Sequence, residues 1–302
     1  MQQALLALNP ISMLVLLALI GLLARKIGLL EDSTIKAVSK IVLTIAQPAL
    51  MIHTTQVVHT ADTVTGFLIV LVSSCVLLIA AQVLMYTIFK KTGRQLRPLM
   101  ATLSVMSNVG YIGIPLVGAV FGEEVLLYLA AYIIGFSFSQ WTIGLAMFAG
   151  FSMKSFKNLL NPIFLSAVIG MALFLLGIQL PEVVAGAVSQ VSALNTPLSM
   201  MLLGARLSTL KPSDFADRRM WLLVLIKLFV MPLLLIAVLR LLGVTGMVYI
   251  ALVMASAMPS GSNAQMLAER YDCDSAFAAK TISVATIACV VSIPLMIFAM
   301  SI

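Results

Sequence analysis

The sequence predicts an all-α membrane protein of ten transmembrane helices, arranged as two five-helix repeats of opposite orientation, with the fourth and ninth helices broken. Three observations predict it: an apolar composition cut into segments of bilayer length, cations confined to alternate connections, and paired motifs that recur about 150 residues apart.

Of 302 residues, 62% are hydrophobic and 10% charged, against roughly 25% charged in soluble domains, and mean hydropathy is +1.13. A crossing needs about 20 apolar residues, so this length accommodates ten. Charges, Gly and Pro divide the chain into spans near residues 9–28, 34–53, 63–89, 96–121, 125–149, 158–177, 183–206, 219–241, 246–270 and 275–301. The first apolar run, Ile11 to Ala24, has no basic residue before it and is followed by Arg25 and Lys26, which suits a retained span rather than a cleaved leader. The net charge of +7 lies in short runs between spans and not on one amphipathic face, which predicts contact with lipid head groups and no nucleic acid partner. Cys75, Cys273 and Cys289 have no CxxC spacing and form no even set, so neither a disulfide framework nor a metal site is expected, nor any cofactor.

Cationic connections are retained on the cytoplasmic side. Of the eighteen Lys and Arg, all but Lys227 and Arg240 fall in or beside the connections after spans 1, 3, 5, 7 and 9. They begin with Arg25 and Lys26, include Lys154 and Lys157 between the halves, and end with Arg270 and Lys280. Missing one span would scramble this alternation. Both termini are therefore expected outside the cytoplasm.

The repeats divide at residues 1–150 and 151–302. Asn9-Pro10-Ile11 opens span 1 as Asn161-Pro162-Ile163 opens span 6, and Ala46-Gln47-Pro48 in span 2 meets Asn195-Thr196-Pro197 in span 7. Ser107-Asn108-Val109-Gly110-Tyr111-Ile112-Gly113-Ile114-Pro115 interrupts span 4, and Met258-Pro259-Ser260-Gly261-Ser262-Asn263 interrupts span 9. An odd number of spans per repeat makes the second copy enter from the other side, the inverted topology of alternating-access transporters.

The two breaks predict the site. Gly and Pro at bilayer depth free backbone groups that lipid cannot satisfy, and such backbone is tolerated where it is buried in protein or lines a wet cavity. A half-helix that starts there offers unpaired N–H groups and partial positive charge, a place for an anion without a buried cation. Asn108 and Asn263 supply amides, Ser107, Ser260 and Ser262 hydroxyls, and Gly110, Tyr111, Pro115, Pro259 and Gly261 shape the breaks. The competing reading has these residues only cap and kink packed helices.

Two of these stretches resemble a known family, the bacterial auxin efflux carriers, which include malonate-transporter-like proteins and are related to plant PIN proteins. Asn108-Val109-Gly110-Tyr111-Ile112-Gly113-Ile114-Pro115-Leu116 is similar to the family's Asn-x-Gly-aromatic-x-Gly-x-Pro-Leu segment. Thr196-Pro197-Leu198-Ser199-Met200-Met201-Leu202-Leu203-Gly204-Ala205-Arg206-Leu207 resembles its seventh-helix segment. The resemblance implies the fold shared with bile-acid sodium symporters: a scaffold of helices 1, 2, 6 and 7, and a transport domain of helices 3–5 and 8–10 in which the broken helices cross. It also implies a homodimer in the bacterial inner membrane and elevator-type transport of small carboxylates, with Asn108 and Asn263 at the substrate carboxylate. The Pro of the second break is shifted in register against that of the first, and the plant proteins' long cytoplasmic loop is absent.

Coupling to H+ or Na+ would call for a titratable group at depth. Glu269, two turns after Asn263, and Lys227, about two turns into span 8, are the candidates, the first against an interfacial carboxylate paired with Arg270 or Lys280, the second against a salt-bridge partner or a snorkelling lysine. Gln47 and Gln265 could line the cavity, and Gln82 and Gln140 are intramembrane amides that interhelical hydrogen bonding explains as well. A coupled symporter of another small solute, a channel and a non-transporting membrane sensor remain open at this stage. An enzyme is disfavoured, since no HExxH, GxSxG or GxxxxGK[ST] occurs.

Overall fold

The computed structural model describes residues 8–57, 59–150, 161–208 and 217–301. The connection holding Lys154 and Lys157, and the segment with Lys211, lie outside the described residues. All regular structure among the described residues is helical. In chain order, α1 is Leu8–Lys26, α2 Asp32–Thr54, α3 Ala61–Lys91, α4 Leu96–Val105, α5 Val109–Phe121 and α6 Glu123–Ala149. The second half supplies α7 Pro162–Leu175, α8 Glu182–Ala193, α9 Asn195–Leu207, α10 Arg218–Leu241, α11 Gly246–Ala257, α12 Asn263–Arg270 and α13 Ser275–Ser301.

Five of these, α2, α3, α6, α10 and α13, are each long and apolar enough to cross a membrane. Several of the other expected spans are divided. Spans 4 and 9 separate into α4 with α5 and α11 with α12, as their Gly and Pro predict. Span 7 departs from its expected continuity, breaking at Leu194 into α8 and α9. Pro197 accounts for it, because its ring clashes with the carbonyl four residues earlier, that of Ala193, and it has no N–H to donate there. The same clash shapes three helices that stay continuous. Wide π turns at Val42–Ala46, Val109–Gly113 and Ile226–Val230 each lead into a segment with Pro at its start, Pro48, Pro115 and Pro232. In each the carbonyl four residues before the Pro falls inside the widened turn, which absorbs the lost bond.

The helices carry their apolar residues outward. Leu16, Leu19, Ile20 and Leu23 of α1, Val72 and Val76 of α3, and Val290, Val291 and Phe298 of α13 are exposed. Such continuous apolar surface suits lipid and not water. Helix α6 is the inner element, with 72% of its apolar stretch buried against 28% for α3.

Helix α1 packs along α9, and α2 against α7 and α8. The α1–α9 contact needs two glycines. A Cβ on Gly21 would lie 1.9 Å from the Met201 carbonyl oxygen, and one on Gly204 would lie 1.7 Å from that of Ala18, so the backbones touch as small residues allow in membranes. A second group joins α3 to α6, α4 and α11, α10 to α11, α13 and α4, and α12 to α13. Its helix ends are capped locally: Thr60 and Thr63 form a capping box on α3, and Asp217 caps α10 through the Arg219 N–H at 2.8 Å. The Arg219 side chain beside it holds the Asp217 carboxyl below the usual carboxylate range. Asn161 caps α7 through the Phe164 N–H at 3.0 Å, with Pro162 at the first helical position, as the sequence pattern predicts.

Candidate functional site: the crossing of two broken helices

Where α4 ends, the chain runs extended through Met106 (φ −73°, ψ 123°). Where α11 ends, Met258 is likewise extended (φ −65°, ψ 148°), because the residue before a proline is driven out of the helical region. The two segments, residues 106–108 and 258–262, meet in an antiparallel bridge between Ser107 and Ser260. The Asn108 N–H donates to the Pro259 carbonyl at 2.8 Å, and the Gly261 N–H to that of Met106 at 3.0 Å. The backbone groups that the breaks release are thus satisfied by each other. This crossing is the physical answer to irregular backbone at membrane depth.

The crossing sorts the predicted site residues into two sets. Ser107 and Ser260 are buried and already bonded: Ser260 Oγ donates to the Leu103 carbonyl at 2.6 Å, and Ser107 Oγ accepts from Lys227 Nζ at 2.7 Å. They brace the junction. Pro259 and Gly261 are buried within it, and Pro115 is buried farther along α5. Asn108, Asn263 and Ser262 stay partly exposed, as do Gly110 and Tyr111, at the starts of α5 and α12. The Asn108 carbonyl oxygen caps α5 by accepting from the Tyr111 N–H at 3.4 Å. That leaves its Nδ2 as a donor, and neither it nor the Asn263 amide has a protein hydrogen-bond partner among the described residues. Two half-helix N-termini and two amides therefore gather within a few residues of one backbone junction.

Gly110 is fixed by contact: a Cβ there would lie 1.9 Å from Gln47 Nε2, so helix α2 presses its amide onto the backbone of the first break. Gln47 is buried and its Oε1 has no partner. The Tyr111 side chain lies on the side of Ser39 and Arg206. Helix α9 packs against the same Val109–Gly113 turn, and carries two polar residues absent from the expected site, Asn195 and Ser199. Both are fully buried with their side-chain oxygens and the Asn195 nitrogen unbonded to protein, a condition that calls for water or a ligand. The match of Asn195-Thr196-Pro197 to Ala46-Gln47-Pro48 was the signal that could have found Asn195.

Three expectations change. Glu269 is exposed at the end of α12, where it accepts from Gln265 Nε2 at 2.9 Å, because α12 points both side chains off its buried face of Ala264, Leu267 and Ala268. Lys227 neither snorkels nor lines an open cavity: it has no exposed surface and turns inward to the junction. Gln82 and Gln140 both flank Gly144, and Gln82 Nε2 donates to Ser139 Oγ of α6, the interhelical bonding that the sequence allows. His59 stacks edge-on to Phe174 at 5.7 Å. A cavity of about 170 Å³ between α1, α5, α9 and α13 is lined by apolar side chains such as Leu14, Ile112, Met200 and Ile293, and contains neither Asn.

Comparison with known proteins bears on these features. A family model described as a membrane transport protein matches residues 6–158 and again residues 151–297. The chain is also similar to an uncharacterized transporter of Methanocaldococcus jannaschii, 24% identical over 292 residues that cover 92% of this chain and 94% of the relative.

Proposed function

The chain belongs to this membrane transport protein family, that of the auxin efflux carriers, and is a membrane transporter; on that premise we propose that it carries small organic carboxylates across a bacterial inner membrane by alternating access. The observation that carries the reading is the crossing itself, which gathers two helix N-termini, Asn108 Nδ2 and the Asn263 amide. A carboxylate there accepts charge-assisted bonds, each contributing about 1.5–3 kcal/mol.

The reading takes the thirteen helices as ten crossings in two inverted repeats, with both termini outside. Helices α1, α2, α7, α8 and α9 form the scaffold, and α3–α6 with α10–α13 the moving body. Support comes from the packing, in which each group holds mainly to itself, and from the break that each half carries at its fourth span. Gln47, Asn195 and Ser199 are then scaffold groups past which the crossing slides in an elevator motion, and a homodimer steadies the scaffold.

The experiment is uptake of labelled dicarboxylates and aromatic acids by proteoliposomes, with and without proton or sodium gradients. Saturable, substrate-selective flux that Asn108→Ala reduces is the expected result. No flux of any carboxylate under any gradient, from protein that is folded in the vesicles, overturns the proposal.

A further inference from the structure

An ammonium inside a membrane protein requires an answering charge or dipole. For Lys227 the hydrogen-bond partners of Nζ among the described residues include no carboxylate. Nζ instead donates to the carbonyl of Ser256 at 2.8 Å, to that of Val105 at 3.2 Å and to Ser107 Oγ at 2.7 Å. Val105 is the last residue of α4, and Ser256 the penultimate residue of α11. Two of the three acceptors are therefore end carbonyls of the two half-helices, where no intrahelical donor remains and the dipole is negative. Three acceptors match the three N–H bonds of an ammonium. The π turn at Ile226–Val230 carries Lys227, and its extra residue re-aims the side chain into the crossing.

Two backbone carbonyls at half-helix ends plus a hydroxyl also form a donor set for a bare alkali cation, since unwound carbonyls replace a hydration shell. The crossing thus has two electrical sides. The positive ends of α5 and α12 carry the amides, and the negative ends of α4 and α11 close on Lys227.

We infer that the Lys227 ammonium is a tethered substitute for a bound monovalent cation at the crossing, so that the chain itself fills the cation position and an anion binds without sodium. Only the last clause rests on the proposed carboxylate function. Removing the side chain should uncover a cation site.

The test uses the purified full-length protein. Lys227→Ala leaves a space that propylammonium matches atom for atom beyond Cβ. Thermal unfolding is followed without any organic anion, in chloride salts of N-methylglucamine, sodium and propylammonium. The expected result is a wild-type midpoint indifferent to the salt, and a variant midpoint lowered in N-methylglucamine and raised by sodium or propylammonium. A variant indifferent to both cations overturns the inference. So does a wild-type protein that sodium stabilises. If Lys227→Ala yields no folded protein, Lys227→Gln, which keeps two N–H donors without the charge, is measured for carboxylate affinity in N-methylglucamine. A loss on the order of tenfold is expected from the lost charge at two helix ends, and affinity equal to wild type overturns the inference. Asn108→Ala separates the two proposals: it loses carboxylate binding while keeping the wild-type indifference to sodium, so a failure of the carboxylate reading leaves the cation measurements intact.

Discussion

In the first half the chain leaves α4 without a proline, and α5 starts beneath the side chain of Asn108, which caps it; Pro115 comes later and is absorbed by a π turn. In the second half Pro259 itself ends α11, and α12 starts at Asn263 with Ser262 before it making no side-chain cap. The first half-helix is apolar and buried along Ile114, Pro115, Leu116 and Val117, whereas the second is polar and ends in exposed Glu269 and Arg270. Yet both place an Asn within three residues of the Ser107–Ser260 pair. What the two halves share is the position of an amide relative to the backbone junction, and proline register is free to differ around it. The difference also assigns unequal duties. Asn108 holds its own helix together while offering a donor, and Asn263 has the second task alone.

That asymmetry can be broken by substitution. Asn108→Ala has the largest expected effect, because it loses a charge-assisted donor of about 1.5–3 kcal/mol and a cap of about 1 kcal/mol. Carboxylate affinity measured by calorimetry should fall on the order of a hundredfold, with a lowered thermal midpoint as well. Asn263→Ala should weaken binding on the order of tenfold and leave the midpoint near that of wild type; equal losses of stability in the two variants would erase the distinction drawn above.

The glycines sharpen the comparison next. Gly110→Ala drives a Cβ into Gln47 Nε2, whereas at Gly261 the nearest atom, the Ser107 carbonyl oxygen, is 3.2 Å away. Overpacking of the first kind costs about 1–3 kcal/mol, so its thermal midpoint should drop further than that of Gly261→Ala, and Gln47→Ala should restore it in the double variant. Failure of that rescue would place the strain elsewhere. The smallest change is expected for Ser262→Ala, within about 0.5 kcal/mol of wild type by the same melting measurement, since no cap is lost.

Much of this was legible beforehand in particular residues. Gly and Pro around Asn108 and Asn263 marked both breaks, and Asn161-Pro162 marked a helix start. The break at Leu194 is not legible from the repeat, because the matched prolines Pro48 and Pro197 have different effects: a π turn absorbs the first and the helix breaks before the second. Ser107 and Ser260 were expected to face substrate, since a hydroxyl beside a glycine reads the same whether it meets a ligand or a carbonyl 2.6 Å away.

The sequence by itself determined the helical class, the segment boundaries near Gly and Pro, and the family, because each depends on local composition and spacing along the chain. Only the tertiary structure decided that the two breaks satisfy each other's backbone, that Gln47 touches Gly110, and that Lys227 closes on Val105, Ser107 and Ser256. The reason is physical: these groups lie far apart in sequence, and which acceptor a buried donor finds depends on what the packing of other helices brings within about 3 Å of it.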